Sequence, residues 1–162
     1  MRDLAEELSQ EIWGEPDYSK VFDDIAESKY NSGNYEHAII ACQQSLNINP
    51  NRYYPLYLQG LIYSFKEDYP LSIFHFSKAL KVKKNFYLFL QRGISKSKLK
   101  NYEDAINDFK EAISLNPEYT PSYYFMAKCK YEMENYAGAV LDLNCGIGLS
   151  DKHKDMGYFY NR

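Results

Sequence analysis

Residues 101–117 read NYEDAINDFKEAISLNP, and three other stretches repeat that phrase: NSGNYEHAIIACQQSLNINP at 31–50, DYPLSIFHFSKALKV at 68–82 and NYAGAVLDLNCGIGLS at 135–150. Each places a small residue three positions after its tyrosine (Ala38, Ser72, Ala105, Ala139) and then runs apolar at helical spacing. The tyrosines are Tyr35, Tyr69, Tyr102 and Tyr136, spaced 34, 33 and 34. Upstream of each tyrosine lies a second small residue, at Ala26, Gly60, Gly93 and Ala127, with the same three spacings. Leu56, Gly60 and Tyr63 stripe one helix, and Ile73, Phe76, Ala79 and Leu80 stripe the next, the period of an amphipathic α-helix. Each unit therefore holds two helices of about 14 residues joined by a tight turn. Gly33 supplies the left-handed conformation that ends a helix without strain, and Pro50 and Pro117 close two of the units.

The spacing predicts helices over 3–13, 19–32, 35–48, 53–66, 69–82, 86–99, 102–115, 120–133 and 136–149, with no strand. This pattern resembles the tetratricopeptide repeat (TPR), whose period is 34. Repeat one (19–52) offers Phe22, Ile25-Ala26, Ala38, Ser45 and Pro50 at the family's places. Repeat two (53–85) offers Leu56, Gly60, Tyr63, Ser72, Phe76 and Ala79, and is one residue short. Repeat three (86–119) offers Phe89, Gly93, Ala105, Phe109, Ala112 and Pro117; repeat four (120–153) offers Tyr123, Ala127, Ala139 and Leu143, with Gly146 in the last Ala place. The resemblance implies an all-α, right-handed superhelical solenoid of antiparallel helix pairs. Small residues at Gly60, Gly93, Ala105 and Ala112 would let neighbouring helices approach, with large ones filling the gaps. Phe22, Leu56, Phe89 and Tyr123 are assigned to the core.

The ends fit the same plan. Leu4, Leu8 and Ile12 lie four apart, and Pro16 precedes Pro50 by 34, so residues 2–14 read as a cap helix over the first full repeat. Residues 154–162 read as a short C-terminal tail, whose Tyr158, Phe159 and Tyr160 need a surface to dock on, either the last repeat or another chain. The whole of 1–162 then makes a single domain, an ordinary size for one.

Composition narrows the function classes. With 45% hydrophobic and 25% charged residues the chain is globular, and 8 Gly with 6 Pro are too few for a linker-rich sequence. A net charge of −3 and a pI of about 5.6 argue against a nucleic-acid partner. Residues 1–13 carry four acidic residues and no apolar core, unlike a signal peptide, and the longest apolar run, Phe86–Leu90, cannot span a membrane. A soluble cytoplasmic protein with reduced thiols and no membrane partner is expected. Cys42, Cys129 and Cys145 form no CxxC pair, which disfavours a disulfide framework and a zinc site. His37, His75 and His153 have no carboxylate or thiol at ligand spacing, and Cys42 occupies the place of Phe76 and Phe109, a core place. No phosphate loop, dinucleotide fingerprint, zinc-protease motif or nucleophile elbow occurs. Neither enzyme nor cofactor is expected, and function falls to surface recognition.

In the family the first helix of each repeat lines the concave wall. The residues this implies for a peptide groove are Tyr54, Tyr57, Leu58, Leu61 and Phe65 in repeat two, Tyr87, Leu90, Gln91 and Ile94 in repeat three, and Tyr124, Lys128 and Tyr131 in repeat four. Asp23, Asp24 and Glu27 of repeat one form an acidic lip. Seventeen Tyr and nine Phe in so short a chain mean a rich core or an adhesive surface, and Tyr-rich surfaces favour binding because Tyr gives contact area with little entropy loss. Co-chaperone members of the family grip a C-terminal carboxylate with Lys, Asn and Arg. The matching places here hold Asp23, Glu27, Leu58, Tyr87 and Gln91, two of which would repel a carboxylate. The reading is thus a protein–protein interaction module that binds an apolar segment of a partner. The alternatives are a chaperone for a secreted protein, of the type III secretion kind that the resemblance also brings in, and a homo-oligomer assembled through the C-terminal end.

Overall fold

The computed structural model describes residues 18–154 as eight α-helices, with no strand among the described residues. They are α1 (Tyr18–Asn31), α2 (Tyr35–Ile48), α3 (Tyr53–Phe65), α4 (Tyr69–Val82), α5 (Phe86–Lys98), α6 (Tyr102–Leu115), α7 (Pro121–Glu132) and α8 (Tyr136–Lys154). Seven of these lie within one residue of the predicted ends; α8 runs five residues past the predicted end at 149. The cap helix 2–14 and the tail from 155 onward lie outside the described residues.

The Asn-Tyr phrase has a local cause. Within each pair the turn places one residue in the left-handed region: Gly33 at φ 76°, and Glu67, Lys100 and Glu134 each at φ 61°. Two backbone bonds close every turn in the Schellman pattern. Asn34 N–H donates to Lys29 O (2.9 Å) and Gly33 N–H to Tyr30 O (2.9 Å); Asp68 N–H donates to Tyr63 O (2.9 Å) and Glu67 N–H to Ser64 O (3.1 Å). The third and fourth turns repeat this through Asn101 to Lys96 and Asn135 to Lys130. The residue after the left-handed one then starts the next helix. Asn34, Asp68 and Asn135 accept the backbone N–H of His37 (3.4 Å), Leu71 (3.2 Å) and Gly138 (3.0 Å) through their side chains, as N-caps do. Asn101 differs, donating its amide to the Asp104 carboxylate at 2.8 Å.

Packing explains the small residues. A Cβ on Gly60 would fall 2.6 Å from the Phe76 ring, and one on Gly93 would fall 2.7 Å from Phe109. Phe76 and Phe109 are wholly buried in the seam between the helices of their own repeat and the next. In repeat one the matching pair is Ala26 with Cys42, both fully buried, so volume lost on α2 is made up on α1. Of the residues assigned to the core, Leu56 and Phe89 are buried, whereas Phe22 and Tyr123 are only half-buried. Tyr123 keeps its hydroxyl outward, donating to Pro117 O at 3.1 Å. The first helices of successive repeats touch one another (α1 with α3, α3 with α5, α5 with α7), whereas among the described residues no two second helices meet. An array in contact along one side and parted along the other curves with its first helices inside.

Candidate binding groove

The inner wall therefore belongs to α1, α3, α5 and α7. Tyr54 and Tyr57 of α3 and Tyr87 of α5 are half-buried and stand in a row, Tyr54–Tyr57 tilted with ring centroids 6.2 Å apart and Tyr57–Tyr87 edge to face at 6.0 Å. Tyr119 extends the row from Tyr87 at 6.5 Å. These tilted contacts suit the positive ring edge against the negative face. Tyr53, Tyr54, Tyr57, Asn85, Tyr87 and Leu88 enclose a hollow of about 220 Å³. Burial raises the Tyr57 and Tyr54 hydroxyls far above the ordinary phenol range, and the Glu27 carboxylate beside Tyr54 adds to the shift there. Both stay neutral donors at any physiological pH.

Further along, Leu61, Gln91 and Ile94 are half-buried, Phe65, Tyr124, Lys128 and Tyr131 are exposed, and Phe65 packs on Tyr35 at 4.9 Å. Two expected groove residues are not on the wall. Leu58 and Leu90 are each 2% exposed, within the core clusters that join neighbouring repeats. The first helices pack on their own partner, on the preceding second helix and on each other, so they bury a wider arc than a two-sided stripe allows.

The acidic lip also needs correction. Asp24 and Glu27 are exposed, but Asp23 is 4% exposed. Its carboxylate accepts Ser45 Oγ at 2.6 Å and Arg52 Nε at 2.9 Å, and pairs with the same guanidinium through Arg52 Nη2. Asp23 is a tie between α1, α2 and the start of α3. Two more buried carboxylates act alike. Asp108 on α6 takes Arg92 (2.7 Å) and Lys96 (2.9 Å) of α5, and Asp142 on α8 takes Lys130 of α7 at 2.7 Å. Lys96 and Lys130, like Asp108 and Asp142, occupy the same repeat position 34 residues apart. In repeat two that pair of places holds Tyr63 and His75, whose rings stack at 5.1 Å. Sequence reading missed these ties, although an ionisable residue at a register place that is apolar elsewhere (Asp23 against Leu90) is the signal for them.

A second hollow, also about 220 Å³, opens between α5 and α7, lined by Ile94, Ser97, Lys98, Lys100, Tyr102, Phe125, Lys128, Cys129 and Glu132. Of its basic side chains Lys128 is an expected groove residue, and Lys98 and Lys100 join it.

No group of three or more His, Cys, Asp or Glu is placed to hold a metal among the described residues. Cys42 and Cys129 are buried, and desolvation pushes their thiols up to about 12 and about 11, so neither is a thiolate. His75 is pushed down to about 4, by burial first and by Lys78 second. Among the described residues no helix is long and apolar enough to cross a membrane.

Comparison with known proteins agrees with this architecture. Residues 20–52 and 87–119 each match the family described as tetratricopeptide repeat. The chain is 31% identical over 114 residues to human DnaJ homolog subfamily C member 7, covering 67% of this chain and 22% of that protein. It is 34% identical over 77 residues to small glutamine-rich tetratricopeptide repeat-containing protein 2 of Saccharomyces cerevisiae, covering 47% and 22%. The chain thus spans about a fifth of these relatives' length. Among solved structures, a crystal structure of MamA superposes with a TM-score of 0.82 at 12% identity, covering 93% of this chain and 86% of that one. MamA from Desulfovibrio magneticus superposes with 0.78 at 15% identity, covering 91% and 82%.

Proposed function

Because the chain belongs to the tetratricopeptide-repeat family, we propose that it is a non-enzymatic adaptor that holds an apolar segment of a protein partner against the wall formed by α1, α3, α5 and α7. The carrying observation is the run of half-buried and exposed aromatics from Tyr54, Tyr57 and Tyr87 to Tyr124 and Tyr131 on contiguous first helices. Covering such side chains contributes about 1.5–3 kcal/mol each before ordering costs are subtracted. Asp24 and Glu27, exposed at the first repeat, favour a Lys or Arg at one end of the segment and set orientation more than affinity. Likeness to a DnaJ homolog supports a chaperone-linked role as the narrower form of this reading, and free buried thiols suit the cytoplasm. The test is capture of partners from native lysate by the full chain and by Tyr57→Ala with Ile94→Ala, with Ile40→Ala on the outer face as control. Loss of the same bands in the groove variant, but not in the control, supports the reading; equal capture by all three refutes it.

Assembly through the last repeat is a second reading with its own observation. Val140, Leu143 and Ile147 of α8 are 55%, 40% and 58% exposed. The matching Ile106, Phe109 and Ile113 of α6 are half-buried or buried beneath the following repeat. Ile147→Asp should then lower the mass of the native species in light scattering, and an unchanged mass sinks this reading.

A further inference from the structure

The hollow between α5 and α7 has a charge that the repeat does not require. Lys98, Lys100 and Lys128 stand around it with one carboxylate, Glu132. The places matching Lys98 hold Asn31, Phe65 and Glu132; those matching Lys100 hold Gly33, Glu67 and Glu134; those matching Lys128 hold Glu27, Leu61 and Ile94. No other repeat puts a cation at any of the three, so the lysines serve no packing role common to the units. Arg52, Arg92, Lys96 and Lys130 each pair with a buried carboxylate, and Lys66 pairs with Glu36. Lys98, Lys100 and Lys128 are exposed and make no ion pair among the described residues. Lys100 has a fixed position, because the left-handed turn that carries it is closed by its own N–H to Ser97 O at 3.0 Å. Half-buried Ile94 and Phe125 give the same hollow an apolar surface.

We infer that this hollow takes the side-chain carboxylate of an Asp or Glu in the partner segment, with an apolar neighbour of that residue seated on Ile94 and Phe125. The inference rests on the groove reading above and adds the chemistry of its far end. A side chain is the source favoured over a chain terminus, because the hollow lies between the third and fourth repeats and α7, which forms its far rim, also exposes Tyr124 and Tyr131 for the rest of the segment. A segment along the wall is still passing through at this point. The wall is then negative at Asp24 and Glu27 and positive at the lysine trio, which admits the segment in one direction.

The test is selection of random 12-residue peptides displayed on phage against the immobilised full chain. A parallel selection uses the charge-reversed variant Lys98→Glu, Lys100→Glu, Lys128→Glu. All three sites are exposed, and an unchanged circular dichroism spectrum confirms that the variant is folded. Wild type is expected to enrich peptides carrying Asp or Glu at a fixed distance from a large apolar residue. The reversed variant should enrich Lys or Arg at that place. Replacing the selected Glu by Gln should weaken binding about tenfold at low ionic strength and less at high salt. Wild-type peptides that are apolar with no acidic preference, and that Tyr57→Ala no longer holds, overturn this inference and leave the groove reading standing. No enrichment, or peptides indifferent to Tyr57→Ala and Ile94→Ala, overturns both.

Discussion

Replacing Gly60 by Ala places a methyl group where Phe76 already is. The added Cβ would lie 2.6 Å from two carbons of the Phe76 ring and 2.9 Å from a third, about 1 Å inside ordinary carbon contact. Phe76 is fully buried, so its ring cannot swing into solvent. Overpacking of this kind costs about 1–3 kcal/mol, while Ala returns roughly 0.5–1 kcal/mol as a better helix former. The net expectation for Gly60→Ala is a loss of about 0.5–2 kcal/mol. Repeat four shows what relieves it, since Ala127 there is matched with Leu143. Phe76→Leu alone should cost about 1–3 kcal/mol through lost contacts and a partial cavity. In the double variant the clash is gone and the helix gain remains, so it should be at least as stable as Phe76→Leu. The coupling energy should then be about 1–3 kcal/mol, the overpacking cost that the smaller side chain removes. Urea unfolding followed by circular dichroism measures it, with constant slopes as the check that midpoints can be compared. Additivity within about 0.5 kcal/mol, or a Gly60→Ala variant more stable than wild type, would refute the close-approach argument.

Other expectations come from the turns, the last helix and His75. Glu67 has φ 61°, so Glu67→Gly should stabilise by roughly 0.5–1 kcal/mol after its greater unfolded-state entropy is subtracted; a lower urea midpoint would count against the turn assignment. Gly138, Gly146 and Gly148 all lie in α8, and a Cβ on Gly148 would meet nothing within 4 Å. Amide exchange over 136–149 should therefore be faster than over 102–115, and equal or slower exchange would show that another surface holds α8. His75, with its Nδ1 buried and unpartnered, titrates near 4 when folded against 6.5 ordinarily. The unfolded chain binds the extra proton between those values, so stability should fall as pH drops from about 6.5 toward 4, by at most about 1.4 kcal/mol per unit. His75→Phe should flatten that slope in urea titrations at pH 7 and pH 5, and an unchanged slope would place the acid sensitivity elsewhere.

Much of the fold could be read because its punctuation is local. An Asn or Asp that follows a left-handed residue and opens the next helix leaves a mark in the sequence; it recurs before Tyr35, Tyr69, Tyr102 and Tyr136, and at all but Asn101 its side chain caps that helix. The tight pairs Gly60–Phe76 and Gly93–Phe109 are likewise visible as a small and a large residue 16 apart. What could not be read depends on contacts between units. The burial of Leu58 and Leu90 reflects the approach of neighbouring first helices, which periodicity within one helix does not encode. Asp23 looked like surface because it stands beside Asp24. Its partner Arg52 is 29 residues away, at the end of the repeat just before α3, where no local pattern points. Lys98 and Lys100 lie two apart at the end of α5 and in the turn after it, and only the superhelix brings Lys128 of α7 to them. The expected end at 149 carries the 14-residue length of the other second helices onto α8, which instead runs on to Lys154.

The central claim is that the inner wall, not the outer one, meets the partner. A photo-reactive phenylalanine analogue placed singly at Tyr57, Tyr124 or Ile40 tests it in native lysate. Tyr57 and Tyr124 are on first helices, and Ile40 lies 54% exposed on α2. The account predicts that irradiation yields the same covalent adduct from positions 57 and 124, competed by excess unmodified chain, and none from position 40. An adduct formed from position 40 and absent at 57 and 124 would contradict it.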